Sequence, residues 1–474
     1  MSTGKPVKIG LAALCADWFR QIGLQAEGGE LATMLREDYA RMTGVLHACF
    51  EEVVAPGLIS TVEEARRALQ LFAAEGAEAL LLVHSMWSED QPLLALLEGW
   101  GGRPILLWNY HPLGRLPEKL RVNDLFRLCG TVGLLQGSAV LQRLGIRPIL
   151  VSGTPGDPDL ERSLRAYATA LRLRRDFQGL AAGQIAGRCE CMTGTYVRPE
   201  ILRSRLGAEL VAISAQEYAA ACAAVNAARV EAFYADLTRR FPIRGVSEPS
   251  LRLACRNTLA LDDLVARYDL QAVAIQDLDE ELHRLVGTRP CLCPPLSAER
   301  GVAYAMEGDL HTALGVLAAM RASGSPCMYT EVFTFDPQEN LLLMGHAGVH
   351  DPRLAAGGSV TLVLDLEYCH SDPVEGAWLE FVMAEGPVTC VSLYDAGQAY
   401  RLTVFEGTSL GEPLRLEGYA HAVIRPQVDV RQLIPRLVQR GMTQHFAVAP
   451  GRIAETLAYW CRLSGIEFSL EAAA

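Results

Sequence analysis

Short apolar runs alternate with segments of helical spacing through the first part of the chain. Residues 79–84 (ALLLVH) and 104–108 (PILLW) are continuous apolar runs, a pattern typical of parallel strands that are buried on both faces. Segments with helical spacing, at 61–75 and 90–99, precede these two runs. Strands that alternate with helices in this way predict a doubly wound parallel sheet.

The pattern changes twice along the chain, and these changes predict three domains. A Gly- and Pro-rich segment at 153–158 ends the first region, and a second series of strands and helices follows it. Further on, short strands separated by turns replace the helices, as in an antiparallel sheet or barrel. We therefore expect an α/β domain at 1–156, a second α/β domain at 157–350 and an antiparallel β domain at 351–474.

Three residues with metal-ligand side chains lie in or beside apolar runs in the second domain. Glu307 ends one run, Glu331 lies within another (MYTEVF), and His346 ends a third. A buried charge is costly unless it is paired or coordinated, and ligands of open α/β sheets bind at the carboxyl ends of strands. These positions favour a divalent-metal site that supports acid–base chemistry. The alternative interpretation is that they are solvated strand ends.

Further polar residues follow predicted strands or interrupt apolar segments. Trp87, Tyr110 and His111 come after two strands of the first domain, where aromatic faces and hydrogen-bonding groups suit a polyhydroxylated ligand. Ordinary turn chemistry is the alternative for these three. Asp309 either orients a metal ligand or caps the helix that follows, and we favour the cap. His445 lies alone in a later apolar segment, where a hydrogen-bonded structural role is the simplest interpretation.

The formal net charge is −12 over 474 residues, which argues against partners held by bulk electrostatics, such as nucleic acid or an anionic membrane surface. The first residues lack the pattern of a secretory signal, and no apolar run approaches the length of a membrane span. With 50% hydrophobic and 21% charged residues, the composition is that of an ordinary globular protein. We therefore expect a cytoplasmic protein.

Thirteen cysteines are scattered along the chain. Because their number is odd and no export signal precedes them, we expect reduced and mostly buried thiols. Two pairs have the spacing C-x-C, namely Cys189 with Cys191 and Cys291 with Cys293, whereas structural zinc sites favour two to four intervening residues. Neither pair is therefore a strong candidate for a zinc site.

Several motifs resemble those of the L-fucose isomerase and L-arabinose isomerase superfamily, and the resemblance extends over most of the chain. It is strongest at MEGD (306–309), YTE (329–331), LMGH (343–346) and RGMTQHFA (440–447), and GRCECM (187–192) stands where the family has a Gly-rich segment. The resemblance implies two Rossmann-like doubly wound α/β domains followed by a C-terminal antiparallel β-barrel domain. It also implies a homo-oligomer, a trimer or a hexamer, whose active sites border a neighbouring subunit.

The resemblance further implies an aldose–ketose isomerase that uses Mn2+. Carried over by position, the metal ligands are Glu307, Glu331, His346 and His445. Glu331 follows the arabinose branch, since the fucose branch has Asp there, whereas the surroundings of Glu307 look closer to fucose isomerase-like proteins. We expect Glu307 and Glu331 to act as an acid–base pair that moves a proton through an enediolate, with the metal on O1 and O2 of an open-chain sugar. Co2+ or Fe2+ would suit the same ligands.

Two alternative functions are open at the level of sequence. The first is isomerisation of a modified hexose, such as a deoxy, phosphorylated or sulfonated sugar. An anionic substrate would need a cationic contact, for which Arg20, Arg115 and Arg188 are candidates, and we include Arg188 among the expected substrate contacts. The second is sugar binding without catalysis, a function that does not need two glutamates and two histidines.

Overall fold

The computed structural model describes residues 6–18, 29–367, 376–411 and 413–473. The chain forms two compact units, Ser2–Arg172 and Leu173–Ala474. Within the described ranges, no helix has both the length and the apolar character needed to cross a bilayer.

The first unit is built around a parallel sheet in which the strands follow the order β2-β1-β4-β5-β6, with β3 also paired to β1. Its strands are β1 (Lys8–Leu14), β2 (Glu52–Val54), β3 (Leu58–Ile59), β4 (Ala79–His84), β5 (Ile105–Tyr110) and β6 (Ile149–Gly153). Its helices are α1 (Glu30–Cys49), α2 (Val62–Glu75), α3 (Asp90–Trp100), α4 (Val122–Leu128), α5 (Gly130–Arg143) and most of α6 (Pro158–Asp176). Every residue of β4 is buried, which explains its continuous apolar run. The predicted alternation of parallel strands and helices is confirmed.

The second unit begins with a four-stranded parallel sheet in the order β11-β10-β7-β8. Its strands are β7 (Ala181–Ile185), β8 (Glu209–Ile213), β10 (Leu270–Ile275) and β11 (Ala303–Ala305). The accompanying helices are α7 (Pro199–Leu206), α8 (Ala215–Ala224), α9 (Ala227–Arg240), α10 (Glu248–Tyr268), α11 (Glu280–Val286), α12 (Pro295–Arg300) and α13 (Leu310–Ser323). The strand order reverses between β7 and β10, and ligands of open α/β sheets bind beside such a point.

A mixed sheet of ten strands completes the second unit, in the order β20-β17-β16-β19-β12-β13-β18-β15-β14-β9. Its strands are β9 (Ile243–Arg244), β12 (Met328–Asp336), β13 (Leu341–His346), β14 (Thr361–Leu364), β15 (Ala377–Val382), β16 (Gly386–Asp395), β17 (Tyr400–Ser409), β18 (Ala420–Pro426), β19 (His445–Pro450) and β20 (Glu467–Glu471). The helices α14 (Val430–Arg440) and α15 (Ala454–Ser464) follow β18 and β19. Three pairs in this sheet are parallel, so the sheet is not purely antiparallel as we had expected.

The strands β12 and β13 differ from the expectation that they would complete the second α/β domain. They form an antiparallel hairpin, and they pair outward with β19 and β18 in the mixed sheet. The reason is the short connection between them, because parallel strands need a crossover of a dozen residues or more. The domain boundary near residue 350 stays a prediction.

The helix α13 lies between the two sheets of the second unit. It is buried from Leu310 to Ala319, and it packs against β10 and β11 on one side and β16 and β19 on the other. Its first turn therefore brings the segment that follows β11 close to the start of β19.

Candidate metal centre

Glu307 follows β11 in an unusual backbone conformation. Its φ of 58° lies in the left-handed region, which costs a residue with a side chain about 1–3 kcal/mol. The next residue, Gly308, has a φ of 65°, and a Cβ there would lie 2.9 Å from the carbonyl oxygen of Gly187, so only glycine fits. The backbone N–H of Glu307 donates to Oδ1 of Asp277 at 2.7 Å. Strain of this kind is concentrated at functional sites.

A buried ion-pair network holds Asp277 in place. The side chain of Arg289 is 1% exposed, and it lies 3.2 Å from Asp277, 2.8 Å from Asp365 and 2.9 Å from Glu367. Burial raises the pKa of Asp277, although the charge of Arg289 acts against this rise. The network anchors the acceptor that fixes the backbone of Glu307. Asp277 was not predicted from the sequence; the signal that could have identified it is its position just after β10, at the carboxyl end of a parallel strand.

Two histidines from the mixed sheet meet the carboxylate of Glu307. His346 is the last residue of β13, and its Nε2 lies 3.6 Å from Oε1 of Glu307. His445 is the first residue of β19, and its Nε2 lies 3.0 Å from Oε2 of Glu307. The ligand atoms of the three residues all lie within 4.8 Å of one another. The structure therefore brings together three of the four predicted metal ligands.

Each histidine is oriented by a hydrogen bond at its other ring nitrogen. Nδ1 of His445 donates to Oδ2 of Asp309 at 2.8 Å, and Nδ1 of His346 donates to the carbonyl oxygen of Ala347 at 2.7 Å. In the neutral imidazole, this arrangement leaves the Nε2 lone pair facing Glu307. Metal-binding histidines are typically held in this way.

Asp309 performs both of the roles between which the sequence could not decide. Its Oδ1 accepts the backbone N–H of Thr312, so it caps α13 as we favoured. Its Oδ2 accepts the hydroxyl of Thr312 and the Nδ1–H of His445. The cap thus also sets the orientation of a histidine in the cluster.

Replacing Asp309 with asparagine separates these two roles, because asparagine caps helices as well as aspartate does. We expect Asp309→Asn to weaken Mn2+ binding by about 10–100-fold, as the loss of a partner that orients a metal-binding histidine does. Titration calorimetry measures this change, and circular dichroism shows whether α13 keeps its helix content. Unchanged affinity would mean that the carboxylate of Asp309 serves only as a cap.

The electrostatics of the cluster favour a cation at its centre. Burial acts to raise the pKa of Glu307, but the close approach and charge of His346 and His445 outweigh it and lower that pKa to about 2. Burial acts to lower the pKa of His445, but Asp309 and Glu307 outweigh it and raise that pKa to about 9. Burial acts to raise the pKa of Asp309, but His445, His311 and the backbone N–H of Thr312 together outweigh it and lower that pKa. Without a metal, a proton on His445 supplies the positive charge.

Glu331 lies next to this cluster but is not one of its three members. In the ladder of β12 and β19 it stands directly opposite His445, and across β13 it stands opposite Gly345. Directly opposed residues project from the same face of a sheet, with Cβ atoms about 4.5–5.5 Å apart. The side chain is partly exposed. Glu331 is therefore positioned beside the three ligand atoms, with access to solvent.

Tyr329 lines the candidate metal centre, a role that was not predicted from the sequence. Its ring centroid lies 4.5 Å from that of His346 and 4.9 Å from that of His445. It precedes Glu331 by two residues and so lies on the same face of β12. The alternation along β12 was the signal that could have identified it.

Three predicted sugar contacts lie in the first unit. The indole of Trp87 donates to Oε1 of Gln136 at 2.9 Å. The ring of Tyr110 is buried edge-to-face on Trp108, with centroids 5.2 Å apart, and burial raises the pKa of its hydroxyl. His111 forms a hydrogen bond with a backbone carbonyl two residues further on. Contact of these residues with a sugar stays a prediction.

Arg188 lies in the second unit, in the loop after β7. Its guanidinium group bonds Glu190 at 3.1 Å and stands over the ring of Tyr196, 4.2 Å from its centroid. Another candidate cation, Arg20, lies outside the described residues. The role of Arg188 in substrate binding stays a prediction.

The donor set fits a divalent cation. Oε2 of Glu307 and Nε2 of His445 are buried, and neither has a properly aligned hydrogen-bond partner among the described residues, although they face each other at 3.0 Å. Buried polar atoms without partners require an explanation, such as an ion. One carboxylate and two imidazoles are ligands that Mn2+, Fe2+, Co2+ and Zn2+ accept. The geometry therefore defines a candidate divalent-metal site in a mixed α/β protein.

Comparison with known proteins connects this site to sugar isomerases. Residues 326–467, which include β12, β13 and β19, match the family model described as the L-arabinose isomerase C-terminal domain. The chain is 26% identical over 203 residues to sulfoquinovose isomerase of Alkalicoccus urumqiensis, a match that covers 42% of this chain and 44% of that protein. It is 27% identical over 235 residues to L-arabinose isomerase of Herpetosiphon aurantiacus, covering 47% and 45%. The matches span less than half the length of each relative. The predicted resemblance to the L-fucose and L-arabinose isomerase superfamily is confirmed.

Proposed function

We propose that this protein is a metal-dependent aldose–ketose isomerase. The observation that carries the proposal is the cluster of Glu307, His346 and His445, because two of its members lie in the segment that matches the isomerase family model. The third member, Glu307, is contributed by the parallel sheet and is held in a strained conformation beside the others. An ordinary structural ion pair would not require that strain.

The residues that would hold the cation are Glu307, His346 and His445. The family resemblance implies Glu331 as a fourth ligand, and the Mn2+ affinity of Glu331→Gln tests that assignment. A bound Mn2+, Co2+ or Fe2+ would supply a Lewis acid for the carbonyl and adjacent hydroxyl oxygens of an open-chain sugar. Asp309 keeps His445 in the orientation that this binding needs. The buried ring of Tyr329, tilted against both imidazoles, would shield one side of the two histidines from water.

Glu307 and Glu331 have different surroundings, which suggests that they have different roles in the reaction. Isomerisation takes a proton from C2 of the sugar and returns it to C1, while a hydroxyl proton passes from O2 to O1. Within the acid–base pair of Glu307 and Glu331, the carboxylate of Glu331 is partly exposed and is the one free to carry the carbon-bound proton. Glu307 lies between the two imidazoles, and its main role is to stabilise their arrangement.

The apparent affinity for Mn2+ should rise with pH, because a cation and a proton compete for His445. The pKa of His445 without metal is about 9, so affinity should rise up to about tenfold per pH unit below that value and level off above it. Calorimetric titrations between about pH 6 and pH 9 measure this slope. An affinity that is constant over this range would contradict the placement of His445 in the metal site.

The stability of the metal-free protein should change in the opposite direction over the same range. The raised pKa of His445 contributes stability that is complete below its ordinary value of 6.5 and is lost as pH rises through 9. The lowered pKa of Glu307 contributes stability that is present above 4.5 and is lost as pH falls toward 2. The increase in melting temperature caused by Mn2+ should therefore be larger at alkaline pH.

A panel of aldoses tests the proposed activity. The protein is loaded with Mn2+, incubated with neutral pentoses and hexoses and with phosphorylated and sulfonated hexoses, and assayed for ketose. Conversion of at least one aldose, abolished by a chelator and restored by Mn2+, supports the proposal. If a sugar raises the melting temperature equally with and without metal and no ketose forms, the protein is a sugar-binding protein instead.

The match to sulfoquinovose isomerase favours a second candidate within the same reaction class, a sulfonated hexose as the substrate. An anionic sugar would need a cation at the site, and Arg188 lies in the loop that packs against Gly308, next to Glu307. In the panel, sulfoquinovose would then have the highest kcat/KM. Arg188→Gln would raise its KM without changing the KM of a neutral sugar.

The proposal extends to the domain organisation, the barrel and the oligomeric state. The division into domains at 1–156, 157–350 and 351–474 is part of the proposal, with a barrel in the last of them. The pairing of β17 with β18 as well as with β16 supports a closed ring of six strands. A homo-oligomer, a trimer or a hexamer, is proposed from the family resemblance, and sedimentation velocity measures its size.

A further inference from the structure

Two cysteines in the loop after β7 lie in contact, outside the cluster described above. The Sγ atoms of Cys189 and Cys191 are 3.3 Å apart, and both residues are free thiols. Their contact is a consequence of a turn, because the N–H of Met192 donates to the carbonyl oxygen of Cys189 at 3.2 Å. The loop is closed again at Thr195, which donates to the carbonyl oxygen of Met192 through both its N–H and its hydroxyl. The folded loop thus already holds the two thiols together.

The two thiols differ in exposure in a way that suits stepwise oxidation. Cys191 is exposed, whereas Cys189 is only 1% exposed. Thiol–disulfide exchange needs an accessible thiol to react with the oxidant and a second thiol nearby to complete the disulfide. Burial raises the pKa of Cys189, which leaves the exposed Cys191 as the thiol that meets the oxidant first.

The chain contains a second C-x-C pair that serves as an internal comparison. Cys291 is buried and Cys293 is partly buried, and burial raises the pKa of both thiols. Neither of these two cysteines is exposed to solvent to the extent that Cys191 is. Spacing alone therefore does not distinguish the two pairs, whereas exposure does.

We infer that Cys189 and Cys191 are a reversible oxidation site for a low-molecular-weight disulfide. The thiolate of Cys191 attacks one sulfur of the oxidant, forms a mixed disulfide and releases one thiol. The thiolate of Cys189 then attacks Sγ of Cys191 and releases the second thiol. The protein loses two protons and two electrons, and the oxidant gains both and is reduced to two thiols.

The position of the loop connects this oxidation to the candidate metal centre. A Cβ on Gly308 would lie 2.9 Å from the carbonyl oxygen of Gly187 and 3.3 Å from the backbone nitrogen of Cys189. The two sulfurs are 3.3 Å apart and must approach to about 2.0 Å in a disulfide, and a loop packed this closely on Gly308 transmits a backbone shift to Gly308 and to its neighbour Glu307. We expect the oxidised form to bind Mn2+ at least several-fold more weakly, an effect that rests on the proposed function.

Mass spectrometry of the intact, folded protein after incubation with oxidised glutathione tests the modification. The peptide that contains Cys189 and Cys191 should lose two hydrogen atoms, resist alkylation and recover both thiols with dithiothreitol. The peptide that contains Cys291 and Cys293 should keep both thiols. Cys189→Ser should instead stop at the mixed disulfide on Cys191. A peptide that stays reduced, or a wild-type protein that stops at the mixed disulfide, would overturn the inference.

Calorimetry with Mn2+ on the reduced and oxidised protein tests the coupling. The oxidant should weaken binding in the wild type and leave the affinity of the double variant Cys189→Ser/Cys191→Ser unchanged. Equal affinities of the two wild-type forms would overturn the coupling. An absence of Mn2+ binding in the reduced protein would count against the proposed function, and the mass measurement would still decide whether the disulfide forms.

Discussion

Glu307→Gln will abolish measurable Mn2+ binding and sugar isomerisation while the protein stays folded. The substitution removes a carboxylate that lies 3.6 Å from His346 and 3.0 Å from His445. Loss of a direct ligand should exceed the roughly 10–100-fold effect expected for the partner of a ligand. The side-chain volume is nearly conserved, and the backbone bond to Asp277 is unaffected. Calorimetry measures the affinity, and a coupled ketose assay measures turnover.

A matched control is Glu339→Gln, which removes the same charge from an exposed turn between β12 and β13. It should leave both Mn2+ affinity and turnover within about twofold, because exposed charges interact weakly. Circular dichroism and melting temperature without metal establish that both variants fold. If Glu307→Gln binds Mn2+ as the wild type does, the three-residue cluster is a structural ion pair and not a metal site.

The architecture of the first unit could be predicted from the sequence because parallel strands buried on both faces produce continuous apolar runs. β4 is such a strand, with all six residues buried. The mixed sheet was harder to predict. The strand β12 is exposed toward its hairpin end, whereas β13 is mostly buried. Their partners β19 and β18 lie far along the chain, so local periodicity does not predict the pairing.

The residues of the candidate site could be predicted from local motifs, but their contacts depend on strands that are distant in sequence. Glu307, His346 and His445 were identified from short motifs, but no spacing rule predicted that β19 would pair with β12 and bring His445 to Glu307. For Asp309 the helix cap was favoured over contact with a metal ligand; the structure shows the cap and also a hydrogen bond to His445, which local sequence does not reveal. Asp277 was missed because its acceptor role depends on a backbone N–H that has no sequence signature.

Glu331→Gln will have a different effect from Glu307→Gln, namely loss of turnover with Mn2+ binding largely retained. The side chain lies opposite His445 on the same face of the sheet, outside the three ligand atoms that lie within 4.8 Å of one another. Removal of a general acid–base group typically costs about 10²–10⁴-fold in rate. We therefore expect kcat to fall by this factor, while Mn2+ affinity stays within about tenfold of the wild type.

The comparison of the two variants decides between two assignments of Glu331. If Glu331→Gln loses Mn2+ as fully as Glu307→Gln does, Glu331 is a fourth ligand in the sense that the family pattern implies, and the proton carrier must be sought elsewhere. If affinity is retained and turnover is lost, exchange of the C2 hydrogen of the sugar with solvent should also stop, since that exchange requires the carboxylate but not completed isomerisation. Exchange that continues in Glu331→Gln at the wild-type rate would assign proton transfer to another residue.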